Sequence, residues 1–346
     1  MAAKNKVKMK IVIDAYGGDN SPSEIIKGAL AALKEKEEFD IVLVGDSDGI
    51  SRVLQNEEYD KLRVSVVNAS EVISCDESPT EAIRKKPDSS IVRAVKLLKE
   101  DDNAKAFVSA GSTGAVLAAS VLLSRRIKGV SRPALAPLLP TMKGGETIFL
   151  DCGANVDCKA VNLLQFAVMG SAYMSEVKGI ENPRVALLSN GTEDAKGNAL
   201  TKEAFELLKN AKNLNFVGNT EARDILSGEA DVIVTDGFYG NIALKSMEGA
   251  IGCLFKTLKA EIYSSALSKF GALFMKSAFK SVKDKLDYNK KGGAVLLGME
   301  KVVVKAHGSS KAEAFKNAVL QAYEASSLDI NEKICREIAL LGGETV

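Results

Sequence analysis

The chain has 346 residues, of which 46% are hydrophobic and 26% charged, and its formal net charge is +1. That length can bury a large core in one α/β unit or two domains, and the near-neutral balance excludes both a disordered chain and a protein that holds nucleic acid by bulk charge. Five scattered cysteines, Cys75, Cys152, Cys158, Cys253 and Cys335, form no C-x-x-C pair, and with His307 the single histidine they read as small buried hydrophobes before metal ligands.

The basic start MAAKNKVKMK precedes an apolar run too brief for a signal peptide, and no stretch approaches the ~18 apolar residues of a spanning helix, so a cytoplasmic location is expected. Met9 to Asp14 predicts a strand, followed by AYGGDNSPSE and a helix from about Glu24 to Lys36, with Pro22 and Glu24 as its start signals. Phe39 to Gly45 and Arg63 to Asn68 are the next strands. The polar stretch ASEVISCDESPTEAIRKKPDSS reads equally as a ligand-shaping segment or a surface excursion before a helix over Ile91 to Lys99.

Ala104 to Ser109 is a strand whose loop, Ala110 to Gly114, enters AVLAASVLLSRR, a helix apolar almost all round and therefore expected deep in the protein. RPALAPLLPT leads to a strand at Thr147 to Leu150, then DCGANVD and a helix from about Val161 to Val177. Strand Arg184 to Ser189, the loop NGTEDAKGN, a helix over Leu200 to Lys209 and a short strand at Leu214 to Phe216 follow. Asp231 to Thr235 is a buried strand, Asp236 to Asn241 a glycine loop, and an amphipathic helix starts at Ile242. Lys301 to Ala306 is the last strand, joined by His307-Gly308-Ser309-Ser310 to a helix over Ala312 to Ala325.

Strand, glycine-bearing polar loop, helix: the pattern recurs after Asp14, Ser109, Asp151, Ser189, Asp236 and Ala306. In a mostly parallel sheet with right-handed crossovers these loops lie along one edge and converge on one cleft. Any single loop needs glycine and caps for turn chemistry alone; six alike point to a binding site. The candidates to line it are Asp14, Gly17, Gly18, Asp19, Gly111, Ser112, Thr113, Gly114, Asn155, Asn190, Asn198, Asp236, Gly237 and Ser309. Lys196 is the candidate cation, because it stands in a loop of small and polar residues; the alternative is a solvated surface lysine. Backbone amides plus one lysine suit a phosphate or a developing oxyanion. Asp14, Asp19 and Asp236 could orient donors or hold Mg²⁺, but no metal geometry is fixed, and no metal or other cofactor is expected.

The chain carries no G-x-x-x-x-G-K-[ST] loop, no G-x-G-x-x-G after a strand, no G-x-S-x-G elbow and no H-E-x-x-H pair. Nucleotide hydrolysis, conventional dinucleotide binding, serine acyl-enzyme and metalloprotease chemistry are thereby disfavoured. His307 would have to serve any Ser-His-Asp relay; a structural hydrogen-bonding role is equally open.

With these loops in view the chain resembles the phosphate acyltransferases of bacterial phospholipid synthesis, the PlsX family. The matching blocks are IVIDAYGGD, DESPTEAIRKKPDSSI, FVSAGSTGA, RPALAPLLPT, DCGANVDCK, the triplet Lys196-Gly197-Asn198, NFVGNTEARDILSGEADVIVTDGFYGN and KAHGSS, covering roughly residues 9 to 325. Tyr16, Asn20 and Ser112 stand where the family usually has Met, His and Asn, and the loop Asn190 to Ala195 is atypical. The resemblance implies a single α/β/α sandwich over 1–346, with a mostly parallel Rossmann-like sheet of the isopropylmalate dehydrogenase/phosphotransacetylase kind. It implies a homodimer that moves a long acyl group from acyl carrier protein to inorganic phosphate, with the acyl phosphate passing to a glycerol-3-phosphate acyltransferase. Lys196 and Asn241 match positions the family uses in catalysis, with His307 and the amides of Gly111 to Gly114 as second-rank candidates. Phosphate would itself be the nucleophile, so the missing nucleophile motifs need no replacement.

Between Ile251 and Leu286, apolar residues including Phe270, Leu273 and Phe274 recur near helical spacing among lysines such as Lys269 and Lys276. Such a helical insertion is a dimer interface, a core element with a solvated face, or a contact for an anionic bilayer; the resemblance implies both dimer and membrane contact. Arg84-Lys85-Lys86 and Arg125-Arg126-Ile127-Lys128 are candidate patches for the acidic carrier protein. Three readings stay open beside this one: a phosphate acetyltransferase-like enzyme, an isopropylmalate dehydrogenase-like enzyme, and a non-catalytic scaffold at the membrane surface.

Overall fold

The computed structural model describes residues 8–286 and 292–343. Five strands run parallel on one side: β1 (Met9–Asp14), β2 (Phe39–Gly45), β3 (Val64–Asn68), β4 (Ala104–Ser109) and β11 (Val302–Lys305). Four more run parallel on the other: β6 (Glu146–Leu150), β7 (Arg184–Ser189), β8 (Asn215–Glu221) and β9 (Val232–Val234). Between them lie β5 (Ala134–Pro140) and β10 (Ala294–Leu297), giving the order β3-β2-β1-β4-β11-β10-β5-β6-β9-β7-β8.

The strands are Val-, Ile- and Leu-rich because the sheet is covered on both faces. Alternation assigns the faces: Ile11, Ile13, Ile41 and Leu43 pack with Ile25, Ile26 and Phe315, while Val12, Val42 and Val44 pack with Ile91 and Val95. The first face is covered by α1 (Ser23–Glu35) and α10 (Ala312–Ser327), the second by α4 (Ser90–Glu100). On the other half, α6 (Ala160–Glu176) fills the core with Leu163, Phe166 and Tyr173.

The central pairings reverse direction three times, since β10 is antiparallel to both β11 and β5, and β5 is antiparallel to β6. The two parallel halves therefore run in opposite senses, and the six loops do not share one edge as expected. Register brings them together instead. Lys305, the last residue of β11, stands opposite Ala294, which stands opposite Pro137; across β5, Leu138 stands opposite Ile148. Continuing that register puts Leu150, the end of β6, level with Ala136. The halves are thus staggered almost end to end, and their carboxyl edges face each other across a cleft bridged by β5 and β10. Neither bridging strand carries a strand signature in the sequence: Pro137 and Pro140 argue against a central strand, and β10 is four residues long.

Two helices differ from expectation. α5 (Thr113–Leu123) is not deep: Ala115, Val116, Ala119 and Ser120 are buried, but Leu122 is 52% exposed. An all-round apolar pattern does not distinguish a core helix from one with an open apolar face. α8 (Gly237–Ser264) begins at Gly237, not at Ile242, so the expected glycine loop is helical. Its glycines are needed for close packing: a methyl at Gly237 would meet the Asn155 carbonyl, and one at Gly240 would collide with the Asp151 carbonyl. Past Ser265 the chain continues as α9 (Ala266–Leu286), where Leu273 and Phe274 are exposed. Among the described residues no helix is long and apolar enough to cross a membrane.

Candidate functional site

Two cavities open on two faces of α8. The smaller, of about 350 Å³, lies in the cleft between the half-sheets. It is lined by Thr113 and Gly114 after β4, Gly153 after β6, Asn241 on α8, and Lys305 and His307 at the end of β11. The larger, of about 850 Å³, is bounded by Asn190, Gly197 and Asn198 after β7 and by Tyr239, Ile242, Ala243 and Met247 of α8. Helical spacing separates the two sets: residues 239, 242, 243 and 246 face the larger cavity, residues 241, 244, 245 and 248 the smaller.

In the smaller cavity, α5 presents its N-terminus with no side chain capping it, so Thr113 and Gly114 offer the positive end of a helix dipole. His307 Nδ1 accepts from the Ser309 N–H at 3.2 Å and meets Ser309 Oγ at 2.9 Å, which places the proton of the neutral ring on Nε2. Burial lowers the His307 pKa, with the Lys245 charge adding to the effect, so the ring is neutral at pH 7. Lys245 donates to Glu248 at 2.8 Å, and both line the cavity.

The β1 loop stands behind this cavity. Asp14 is fully buried and accepts from Ser109 Oγ at 2.6 Å; that hydroxyl in turn accepts from the Gly111 N–H at 3.0 Å. Burial raises the Asp14 pKa, opposed by its hydrogen bonds to Ser109 and Ser90. Gly17 is pressed against Asp14 and Gly111, Gly18 has φ of 89° beside the Gly308 carbonyl, and the exposed Asp19 donates its N–H to that carbonyl at 2.9 Å. Ser112 is the uncapped start of α5.

Several candidates are occupied structurally. Asp236 caps α8, accepting from the Phe238 and Tyr239 N–H groups at 2.9 and 3.0 Å, which leaves its carboxylate committed to the helix. Asn155 is buried and donates to the Pro133 carbonyl and to Asp151 Oδ2, at 2.7 and 2.8 Å. It helps hold the fully buried Asp151, whose pKa burial raises against bonds from Leu135, Ala154 and Asn155. Asn198 caps α7 (Ala199–Asn210) through the Thr201 N–H at 2.9 Å.

Lys196 is exposed in the β7 loop beside the larger cavity, so the structure does not place it with Asn241 and His307. Of the basic clusters, Lys85 and Lys86 are paired with Glu81 and Glu77 at 2.9 and 2.7 Å. The segment after β3 folds into α3 (Pro79–Lys85), whose Pro79 packs on Gly114, a residue lining the smaller cavity. Among the described residues no group of three or more His, Cys, Asp or Glu could hold a metal ion.

Lys305 lines the smaller cavity although it is not among the candidates named from the sequence. Its signal was a lysine closing the run VVVK, where an all-apolar buried strand has no ordinary use for a charge.

The profile described as "Fatty acid synthesis protein" matches residues 9–333. The phosphate acyltransferase of Dictyoglomus thermophilum is 50% identical over 326 residues, covering 94% of this chain and 96% of its own. That of Clostridium novyi is 48% identical over 326 residues, covering 94% of this chain and 97% of its own. Among solved structures, a phosphotransacetylase from Streptococcus pyogenes superposes with a TM-score of 0.61 at 19% identity, covering 93% of this chain and 95% of its own. A branched-chain phosphotransacylase from Enterococcus faecalis gives 0.56 at 16% identity, covering 92% and 99%. At such identities the likeness is one of fold.

Proposed function

The chain belongs to the phosphate acyltransferase family, within the grouping described as fatty acid synthesis proteins, and from that premise we propose that it transfers a long acyl group from acyl carrier protein to inorganic phosphate. The observation that carries this reading is the pair of unlike cavities flanking α8. One is a polar cleft with a bare helix N-terminus, suited to an anion; the other is larger and walled by Leu188, Ile225, Ile242 and Met247, suited to an acyl chain.

A phosphate oxygen attacks the thioester carbonyl carbon, a C–O bond forms, the C–S bond breaks and the carrier thiolate leaves. That thiolate has a pKa of about 8.5 by analogy with cysteine and needs little help from an acid. Asn241, exposed on the first turns of α8, donates to the carbonyl oxygen as it gains charge. Lys196, whose neighbours Gly197 and Asn198 line the larger cavity, adds a cation from that side.

The chain acts as one catalytic unit, with 251–286 as its insertion, and works as a homodimer. The exposed apolar residues of α8 and α9, interleaved with lysines, support contact with a second copy and with an anionic membrane surface, where acyl phosphate is handed to a glycerol-3-phosphate acyltransferase. The test is incubation with palmitoyl-loaded carrier protein and inorganic phosphate. Phosphate-dependent acyl phosphate is expected; acyl transfer to phosphate from acetyl-coenzyme A but not from the carrier protein would replace the reading with an acetyltransferase.

A further inference from the structure

The smaller cavity contains a buried charge to which the proposed chemistry above gives no task. Lys305 closes β11 after Val302, Val303 and Val304, all core residues, and is itself only 9% exposed. Taking an ammonium group out of water is costly, and burial here lowers its pKa to about 8. A methionine would fill the same space without that penalty. Nζ reaches the backbone carbonyls of Ala110 and Ala306, at the ends of β4 and β11. Those oxygens use two of its three donors, and among the described residues it has no ion-pair partner. The buried carboxylate that acts on it through space, Asp14, has its oxygens engaged by Ser109 and the Tyr16 N–H.

Among the described residues, the charges that share the cavity wall with Lys305 leave it net positive. Thr113 and Gly114 contribute the uncapped N-terminus of α5, an 11-residue helix. Lys245 adds a second ammonium, and Glu248, among the described residues the one carboxylate lining the cavity, is already paired to it. Register makes the arrangement rigid, because Lys305 pairs with Ser109 across the parallel β4–β11 ladder, three residues before α5 begins at the cap residue Ser112. A buried cation and a bare helix N-terminus fixed by the same two strands form a cradle for a compact, multiply charged anion.

We propose that the cleft cavity is the inorganic-phosphate subsite, with Lys305 as its buried cation and the Thr113 and Gly114 amides as its backbone donors. The identity of the anion rests on the acyl-transfer reading; the site itself rests on this geometry. Phosphate held here is approached by the thioester from the Asn241 side, because Asn241 lines the same cavity.

Two measurements on the full chain test this. In calorimetric titration with inorganic phosphate alone, the wild type binds saturably, and Lys305→Met weakens binding at least tenfold while leaving the affinity for acyl carrier protein unchanged; unaltered phosphate affinity overturns the proposal. The second needs no variant. Acetylation of the Lys305 amine in wild-type protein at pH 8, followed by peptide mass spectrometry, slows several-fold on adding inorganic phosphate, and a rate indifferent to phosphate overturns the proposal. If phosphate binds through Lys305 but no acyl phosphate forms from acyl carrier protein, the subsite stands and the acyl-transfer reading fails. If acyl phosphate forms with the KM for phosphate unchanged in Lys305→Met, the reading stands and the subsite fails.

Discussion

Gly240, on the first turns of α8, is packed directly onto the backbone carbonyl of Asp151 at the end of β6, with no room for a methyl group between them. The neighbouring Asn241 lies against Gly153 of the same loop, where an added Cβ would come 3.5 Å from its Cγ. The start of α8 is therefore seated on the β6 loop, and Asn241 is aimed by that contact. Gly240→Ala should cost about 1–3 kcal/mol of stability through overpacking and lower kcat more than KM, since Asn241 moves with the backbone. Denaturant unfolding and acyl phosphate kinetics check both effects; an Ala variant with unchanged kcat would show that the seat does not aim Asn241.

Lys196→Ala and Asn241→Ala should each reduce turnover by ~10² to 10³, the contribution of a single donor to a developing oxyanion. Both side chains are exposed, so unfolding midpoints should hardly change. Near-normal acyl phosphate formation by Asn241→Ala would remove it from the chemistry.

Burial pushes the Lys305 pKa down to about 8, with the Lys245 charge adding to the effect and the Asp14 and Asp19 charges opposing it. Phosphate needs the protonated amine, so its affinity should hold below that pH and fall as pH rises through it. The folded pKa lies below the unfolded value, so the unfolded chain binds more protons between the two, and this group makes folding more favourable as pH rises across that window. Lys305→Met should then unfold at higher temperature than wild type at pH 7 while binding phosphate worse. A melting scan with and without phosphate reads both; a destabilised variant would mark Lys305 as structural.

Phe270→Glu together with Phe274→Glu should abolish flotation with vesicles containing anionic lipid, while carrier-protein-dependent turnover in solution persists. The two rings stack edge to face at 5.3 Å between centroids, and both are exposed. Undiminished flotation would exclude this tip as the membrane contact.

The strands legible in the sequence are those whose β-branched runs are bounded by turn residues, such as IVI before Asp14 and VVVK before Ala306-His307. The loops they feed could be located, but their grouping could not, because it depends on the reversals at β10 and β5, and neither strand carries a clear signature: prolines interrupt one and brevity hides the other. Asp236 illustrates a second limit. An acidic residue after a strand reads alike whether it binds a ligand or caps a helix, and the distinction lies in whether Gly237 takes up helical geometry, which depends on packing against Asn155. Lys305 was readable in principle as a charge at the end of an apolar strand, but its burial depends on β4 and β10 lying on either side.

The strand order also bears on how the protein is made. The half-sheet formed by β6 to β9 comes from one continuous stretch, complete once residue 234 has left the ribosome, whereas the other half takes four strands from the beginning of the chain and its fifth, β11, from residues 302–305. Until β11 emerges, β4 has a free edge on the side where β11 will pair, next to the uncapped N-terminus of α5. The nascent chain consequently carries a bare strand edge through most of its synthesis, and acquires its buried cation only when that edge is closed.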